Sequence, residues 1–207
     1  MTNKEIKKLY RIGMTGGIAC GKSTVSSYFE RYDISIIDTD SISRELVKKG
    51  QPALKEIKIE FGDTVIDDNG YLDRKLMRSI IFSDKNARKK LENILHPKIR
   101  NETIRQANNA EGAYQIIVIP LLNQSGLKKL INRILVVDCS EKIQIKRLMK
   151  RDNESLEVAQ SILAAQKERK NHLRIADDII NNEEGKMSLQ IKVAKLHKLY
   201  TRLASKY

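Results

Sequence analysis

Nine residues near the amino end, Gly16-Gly17-Ile18-Ala19-Cys20-Gly21-Lys22-Ser23-Thr24, constrain the fold more than any other stretch. They fit G-x-x-x-x-G-K-[ST], a loop that binds phosphate through its own backbone. Glycine permits the tight, positive-φ turns that point successive amide N–H groups at an anion. Lys22 adds a mobile cation for the β- and γ-phosphates, and the Ser23 hydroxyl suits Mg²⁺. The helix that opens here offers its positive dipole end. The flanks agree: Leu9 to Met14 reads as a strand, while Val25, Tyr28 and Phe29 follow at helical spacing. The competing reading is a glycine-rich turn with no ligand.

At 207 residues and 41% hydrophobic content, the chain suits one α/β domain with insertions, or two lobes sharing a core. No apolar run approaches the roughly 18–20 residues of a membrane span. Met1 to Lys8 lacks the apolar centre of a secretion signal, so a cytoplasmic protein that binds no membrane is expected. The net charge of +13 raises nucleic-acid binding as an alternative. However, the cations are interleaved with Glu and Asp, Trp is absent, and Phe occurs three times. A base-stacking platform is therefore poorly supported, and polyanionic small substrates explain a basic site equally well. The cysteines, Cys20 and Cys139, are expected to form no structural disulfide and are too few for a zinc site. Cys20, at a helix start, is expected to be sensitive to oxidation.

Further along, Ile34 to Asp40 is a β-branched run that ends in Asp38 and Asp40. Ligands bind at the carboxyl ends of strands in open α/β sheets, which puts this pair at the rim beside the phosphate loop. A helix is expected over Ile42 to Val47. The third strand, Tyr114 to Ile119, begins only some sixty residues later, and the intervening stretch has helical patterning in four pieces. Gly62, Asn69-Gly70 and His96-Pro97 punctuate it, so His96-Pro97 is expected between two helices. A fourth strand is expected over Asn132 to Asp138 and a fifth over Ala176 to Asn182. Between them lies an arginine-rich helical stretch broken at Asp152-Asn153, and a last helix runs from about 186 to 205.

Phosphoryl transfer needs a cradle for the γ-phosphate, a metal, cations to spread charge, and a group that orients the attacking oxygen. Lys22 and the loop amides supply the cradle. Asp40 is the choice of base, while Asp38 either reaches the metal through water or caps the next helix. Arg147 and Arg151 are four residues apart and share a helix face. They fit either a lid that closes over phosphates or a solvated surface. On its own, His96 reads as a cap or surface residue as readily as a ligand contact.

With these pieces in place, the chain resembles the dephospho-coenzyme A kinases over nearly its whole length. The residues that carry the likeness are Thr15 to Ile18, Gly21 to Thr24, Asp38-Thr39-Asp40, Leu95-His96-Pro97 and Pro120-Leu121-Leu122. Arg147, Arg151-Asp152, Gln166 and Ala176-Asp177-Asp178 with Ile180 and Asn182 continue it. The resemblance implies an α/β P-loop nucleoside-triphosphate fold, with a five-stranded parallel sheet in order 2-3-1-4-5, a helical acceptor lobe and a lid. The nucleotide core would then comprise 1–49, 113–146 and 175–207, the lobe 50–112 and the lid 147–174. It also implies transfer of phosphate from ATP, with Mg²⁺, to the ribose 3′-hydroxyl of dephospho-CoA, the last step of CoA synthesis.

On this reading Gly17, Ile18, Ala19, Cys20, Gly21, Lys22, Ser23 and Thr24 hold ATP, and Ser23 ligates the metal. Asp40 is the base, with Lys22 and Arg147 as catalytic cations. Asp38, His96, Pro97 and Leu121 contact the acceptor. A monomer is expected, with weak self-association left open. Four positions depart from the family pattern. Ala19 and Cys20 stand where Gly and Ser are usual, Gln124 where Glu is usual, and His172 where Lys or Arg is common. A guanine-reading N-K-x-D does not follow the fourth strand, where Val137-Asp138-Cys139-Ser140 stands instead, which argues against a GTP switch.

Overall fold

The computed structural model describes residues 9–122, 125–165 and 169–207. Gln124 and Gln166, both singled out above, lie outside the described residues. Five strands form one parallel sheet: β1 (Tyr10–Gly16), β2 (Ser35–Asp38), β3 (Tyr114–Val118), β4 (Arg133–Asp138) and β5 (Asp178–Asn181). Their order across the sheet is β2-β3-β1-β4-β5. β1 is central, with Ile12 opposite Ile116 of β3 and Gly16 opposite Val137 of β4. Since β1 feeds the phosphate loop, that loop emerges at mid-sheet, between the carboxyl ends of β3 and β4.

The chain divides into two compact units: Met1–Ile37 with Ala107–Tyr207, and Asp38–Gln106. In the first, the strands are apolar on both faces, as a sheet covered on both sides requires. Ile12 and Met14 of β1, Tyr114 and Ile116 of β3, and Leu135 and Val137 of β4 turn one face into the main core. Two helices pack on that face. α1 (Lys22–Glu30) contributes Val25, Tyr28 and Phe29, and α9 (Lys186–Ala204) contributes Leu189, Val193 and Tyr200. The Tyr200 ring is wholly buried, and its hydroxyl donates to Asp178 Oδ2 at 2.9 Å, so this buried hydroxyl is satisfied. Arg133 holds the same carboxylate through two bonds of 2.7 and 3.0 Å.

The crossover from β4 to β5 carries α6 (Glu141–Asp152), α7 (Leu156–Ala165) and α8 (Arg169–Ile175). α6 stops where the sequence signals, at Asn153, which takes the left-handed conformation with φ 54°. Arg169 grips Asp138 at the end of β4 through a bidentate pair of 2.9 and 2.8 Å. His172 is buried within α8.

The second unit contains α2 (Thr39–Leu46), α3 (Pro52–Phe61), α4 (Arg74–Ser83) and most of α5 (Lys85–Asn109). Val47, Ile57, Val65 and Met77 form its core, with Leu91, Ile94 and Leu95 of α5 packed against them. α5 corrects the sequence reading. His96 and Pro97 do not separate two helices; they sit in the middle of one continuous 25-residue helix. A proline inside a helix removes one N–H bond and crowds the preceding turn, a cost of about 3 kcal/mol. Packing of Leu91, Ile94 and Leu95 before it, with Thr103 and Ala107 buried after it, holds the helix together across the defect.

Candidate active site

β1 delivers the chain into the loop at Gly16, whose φ is +148°. A Cβ there would strike the carbonyl oxygen of Val137 on the neighbouring strand, so glycine alone fits. Two more residues take the left-handed region, Ala19 at φ 57° and Gly21 at φ 94°. Gly21 is also the cap residue of α1 and lends it no side chain. The first turn of α1 has no acidic side chain either, so no carboxylate of that turn offsets the amide dipoles that face the loop. Lys22 Nζ donates to the carbonyls of Gly16 and Gly17, at 2.8 and 3.0 Å. Ser23 and Thr24 are exposed on that first turn.

Three side chains from elsewhere in the sheet unit pin the loop from behind. Gln144 of α6 donates to the Ile18 carbonyl at 2.7 Å. Asn182, just past β5, donates to the Cys20 carbonyl at 2.7 Å. Arg147 of α6 donates to the carbonyls of Ala19 and Cys20, both at 3.3 Å, and through its other nitrogen to that of Asn182 at 2.8 Å. With its carbonyls held on this side, the loop keeps the left-handed turns that Ala19 and Gly21 adopt. Arg151, one turn further along α6, pairs with Asp152 at 2.7 Å. The two arginines share a helix face, yet they have different partners. The loop pattern does not signal Gln144 or Asn182. In the sequence, only the family likeness marks Asn182.

Cys20 and Cys139 are both fully buried, and their sulfurs are 3.4 Å apart. Both are free thiols, though adjacent ones, which their 119-residue separation conceals. The hydrogen bond from Cys139 and the charge of Lys22 draw the Cys20 thiol down to about 7 against the opposing effect of burial. The same bond and burial push the Cys139 thiol up.

Pro120, Leu121 and Leu122 follow β3. The Pro120 carbonyl accepts from Thr15 Oγ1 at 3.1 Å, and Leu122 is buried while Leu121 is exposed. The helical unit holds the remaining residues of interest. Asp38 closes β2 and caps α2, its carboxylate accepting from the Asp40 N–H at 3.0 Å and from Ser41 Oγ at 3.1 Å. Asp38 thus caps the helix, which begins at Thr39 rather than Ile42. Asp40 is exposed in the first turn of that helix, and His96 and Pro97 are exposed on α5. Among the described residues, no cluster of three His, Cys, Asp or Glu side chains could bind a metal by itself. No described helix is long and apolar enough to cross a membrane.

Comparison with known proteins agrees with this loop-and-sheet architecture. A family profile described as dephospho-CoA kinase matches residues 10–188. The chain belongs to the dephospho-CoA kinase family. A dephospho-CoA kinase of Nitrosomonas europaea is 44% identical over 197 residues, which cover 95% of this chain and 97% of that one. Among solved structures, dephospho-CoA kinase from Campylobacter jejuni superposes with a TM-score of 0.69 at 29% identity, covering 93% of this chain and 97% of that chain. Shikimate kinase from Bacteroides thetaiotaomicron, at 18% identity and a TM-score of 0.54 over 92% and 98% of the two chains, shares the fold. The sheet order 2-3-1-4-5 that the family likeness implies is the order found.

Proposed function

We infer that this chain transfers the γ-phosphoryl group of ATP to the 3′-hydroxyl of the ribose of dephospho-CoA, yielding CoA and ADP. The observation that carries this reading is a phosphate loop pinned by Gln144, Arg147 and Asn182, in a chain of the dephospho-CoA kinase family.

Lys22 exchanges its bonds to the Gly16 and Gly17 carbonyls for the β- and γ-phosphates, while the amides of residues 17–24 hold the rest of the triphosphate. Oriented donors of this kind are usually the largest contribution to such catalysis, because no reorganisation is needed as charge develops. Ser23 presents a hard oxygen beside Lys22. Mg²⁺ prefers oxygen ligands and is commonly held by one or two protein groups plus substrate phosphates, so the exposed hydroxyl and the absence of a preformed carboxylate cage among the described residues fit it. Bound there with the nucleotide, the metal would neutralise charge on the phosphate oxygens.

Asp40 takes the proton from the acceptor hydroxyl, and Asp38 fixes Asp40 through its cap while lining the acceptor side. His96, Pro97 and Leu121 contact dephospho-CoA. Arg147 acts through the loop it holds. Residues 147–174 serve as a lid over the 1–49, 113–146 and 175–207 core, with 50–112 as the acceptor lobe. The enzyme works as a cytoplasmic monomer without nucleic acid or membrane.

Turnover and nucleotide affinity of the Asp40→Asn variant test this assignment. Turnover should fall by roughly 10²-fold or more, as expected when a general base is lost, with ATP affinity nearly intact. Near-normal turnover would remove Asp40 as the base.

A further inference from the structure

The two cysteines of the chain meet because the sheet order brings them together. Cys20 lies in the loop that leaves β1, Cys139 directly follows β4, and β1 and β4 are neighbours with Gly16 opposite Val137. Their sulfurs lie 3.4 Å apart in the core, where Gln144 Nε2 approaches Cys20 Sγ at 3.3 Å and Arg147 Nη1 approaches Cys139 Sγ at 3.8 Å. A sulfur–sulfur bond is roughly 2.05 Å long, so the two sulfurs must approach by about 1.4 Å to form one. We propose that Cys20 and Cys139 are a reversible disulfide site, oxidised by a hydroperoxide, whose closure weakens nucleotide binding at the phosphate loop.

The chemistry follows from the two environments. The bond donated by Cys139 and the nearby Lys22 favour the thiolate of Cys20, making it the attacking sulfur. That thiolate cleaves the O–O bond of hydrogen peroxide, keeps one oxygen as sulfenic acid and releases the other as hydroxide, which takes up a proton as water. An organic hydroperoxide would release its alkoxide as an alcohol instead. Cys139 then attacks the Cys20 sulfur. The S–S bond forms, and the sulfenic oxygen departs as a second water with the Cys139 proton. Two thiols lose two electrons and the peroxide gains them; a dithiol reductant reverses the change. Both sulfurs are buried, so the peroxide enters during local opening of the loop, the segment most expected to open where ligands bind.

The consequence for binding rests on the ATP reading above. Cys20 supplies one loop amide, and its carbonyl is held by Asn182 and Arg147. A covalent tether to Cys139 also changes the sulfur that Gln144 approaches, and Gln144 fixes the Ile18 carbonyl. The loop then loses the adjustment needed to wrap a triphosphate.

The test treats folded protein with hydrogen peroxide at a small molar excess and follows intact mass, free thiols and binding of a fluorescent ATP analogue. The expected result is loss of two hydrogen atoms in mass and of both thiols within a monomer, with nucleotide affinity reduced several-fold and restored by dithiothreitol. Cys139→Ser, and independently Cys139→Ala, should show no such mass loss and should keep their own affinity after the same treatment. Failure of the folded protein to form the disulfide would overturn the proposal, as would a disulfide that leaves affinity unchanged. Reduced protein that does not bind the analogue would instead count against the ATP reading, since the mass change is read without nucleotide.

Discussion

The carboxylate of Asp38 accepts the backbone N–H of Asp40 at 3.0 Å, so two acids that look equivalent in the sequence have different structural tasks. Asp38 anchors the start of α2, whereas Asp40 is exposed one step inside the helix. Replacing a capping Asp with Ala removes an acceptor for otherwise unpaired helix amides and costs about 1 kcal/mol. Asp38→Ala should therefore lower stability by that amount in urea denaturation and also reduce turnover by disturbing Asp40. Asp40→Asn, which leaves the cap intact, should leave stability within about 0.5 kcal/mol of the parent.

The loop makes contrasting predictions for Gly16 and Ala19. Gly16→Ala drives a methyl into the Val137 carbonyl, a backbone atom of the central sheet that has little room to yield. We expect a loss of about 3 kcal/mol in unfolding experiments, together with loss of nucleotide binding. Ala19 already adopts φ 57°, at a strain of about 1–2 kcal/mol for a non-glycine residue. Ala19→Gly relieves that strain but gives the unfolded chain more freedom, so stability should stay within about 1 kcal/mol. A β-branched residue gains neither benefit, and Ala19→Val should destabilise.

Pro97 interrupts the hydrogen bonding of α5 at an exposed position. Pro97→Ala restores the missing N–H and should raise the melting temperature, by an amount that reflects up to about 3 kcal/mol. If the proline shapes the acceptor side, the same variant should show a higher KM for dephospho-CoA with an unchanged KM for ATP. Steady-state kinetics with each substrate varied in turn provide the check.

Acid stability depends partly on Glu102. Its carboxylate accepts two bonds of 2.7 Å from Arg105 and one of 2.8 Å from Gln106, which hold its pKa down at about 2. The folded value lies below the ordinary 4.5, so the folded state binds this proton less readily than the unfolded one. The contribution is thus complete above about pH 4.5 and is lost as pH falls toward 2. Glu102→Gln should flatten that limb of the stability curve, while stability changes little between its values at pH 3 and pH 5 relative to the parent's steeper rise, as read by urea midpoints.

The β1–loop–α1 unit is legible in the sequence because its backbone turns demand particular residues at fixed spacing. The strands are legible too, since parallel strands covered on both faces read as apolar runs. Local signals fail where packing overrides them. His-Pro reads as a break, yet the apolar stripe of Leu91, Ile94 and Leu95 and the buried Thr103 and Ala107 keep α5 continuous. The Cys20–Cys139 contact is invisible for another reason: it depends on which strands are neighbours, which no local pattern around either cysteine encodes. Arg147 shows the same limit. Its spacing from Arg151 marks a shared helix face, but no local pattern shows that it meets the loop carbonyls 128 and 127 residues earlier in the chain.

The most direct test of the account is a coupled ADP-release assay with ATP and Mg²⁺ over dephospho-CoA, adenosine, AMP and shikimate, with mass analysis of the product. The account predicts rapid ADP release with dephospho-CoA alone and a product gaining one phosphate on the ribose 3′-oxygen, with release lost in Lys22→Ala. Equal or faster turnover of another acceptor, or phosphate attached elsewhere on dephospho-CoA, would contradict it.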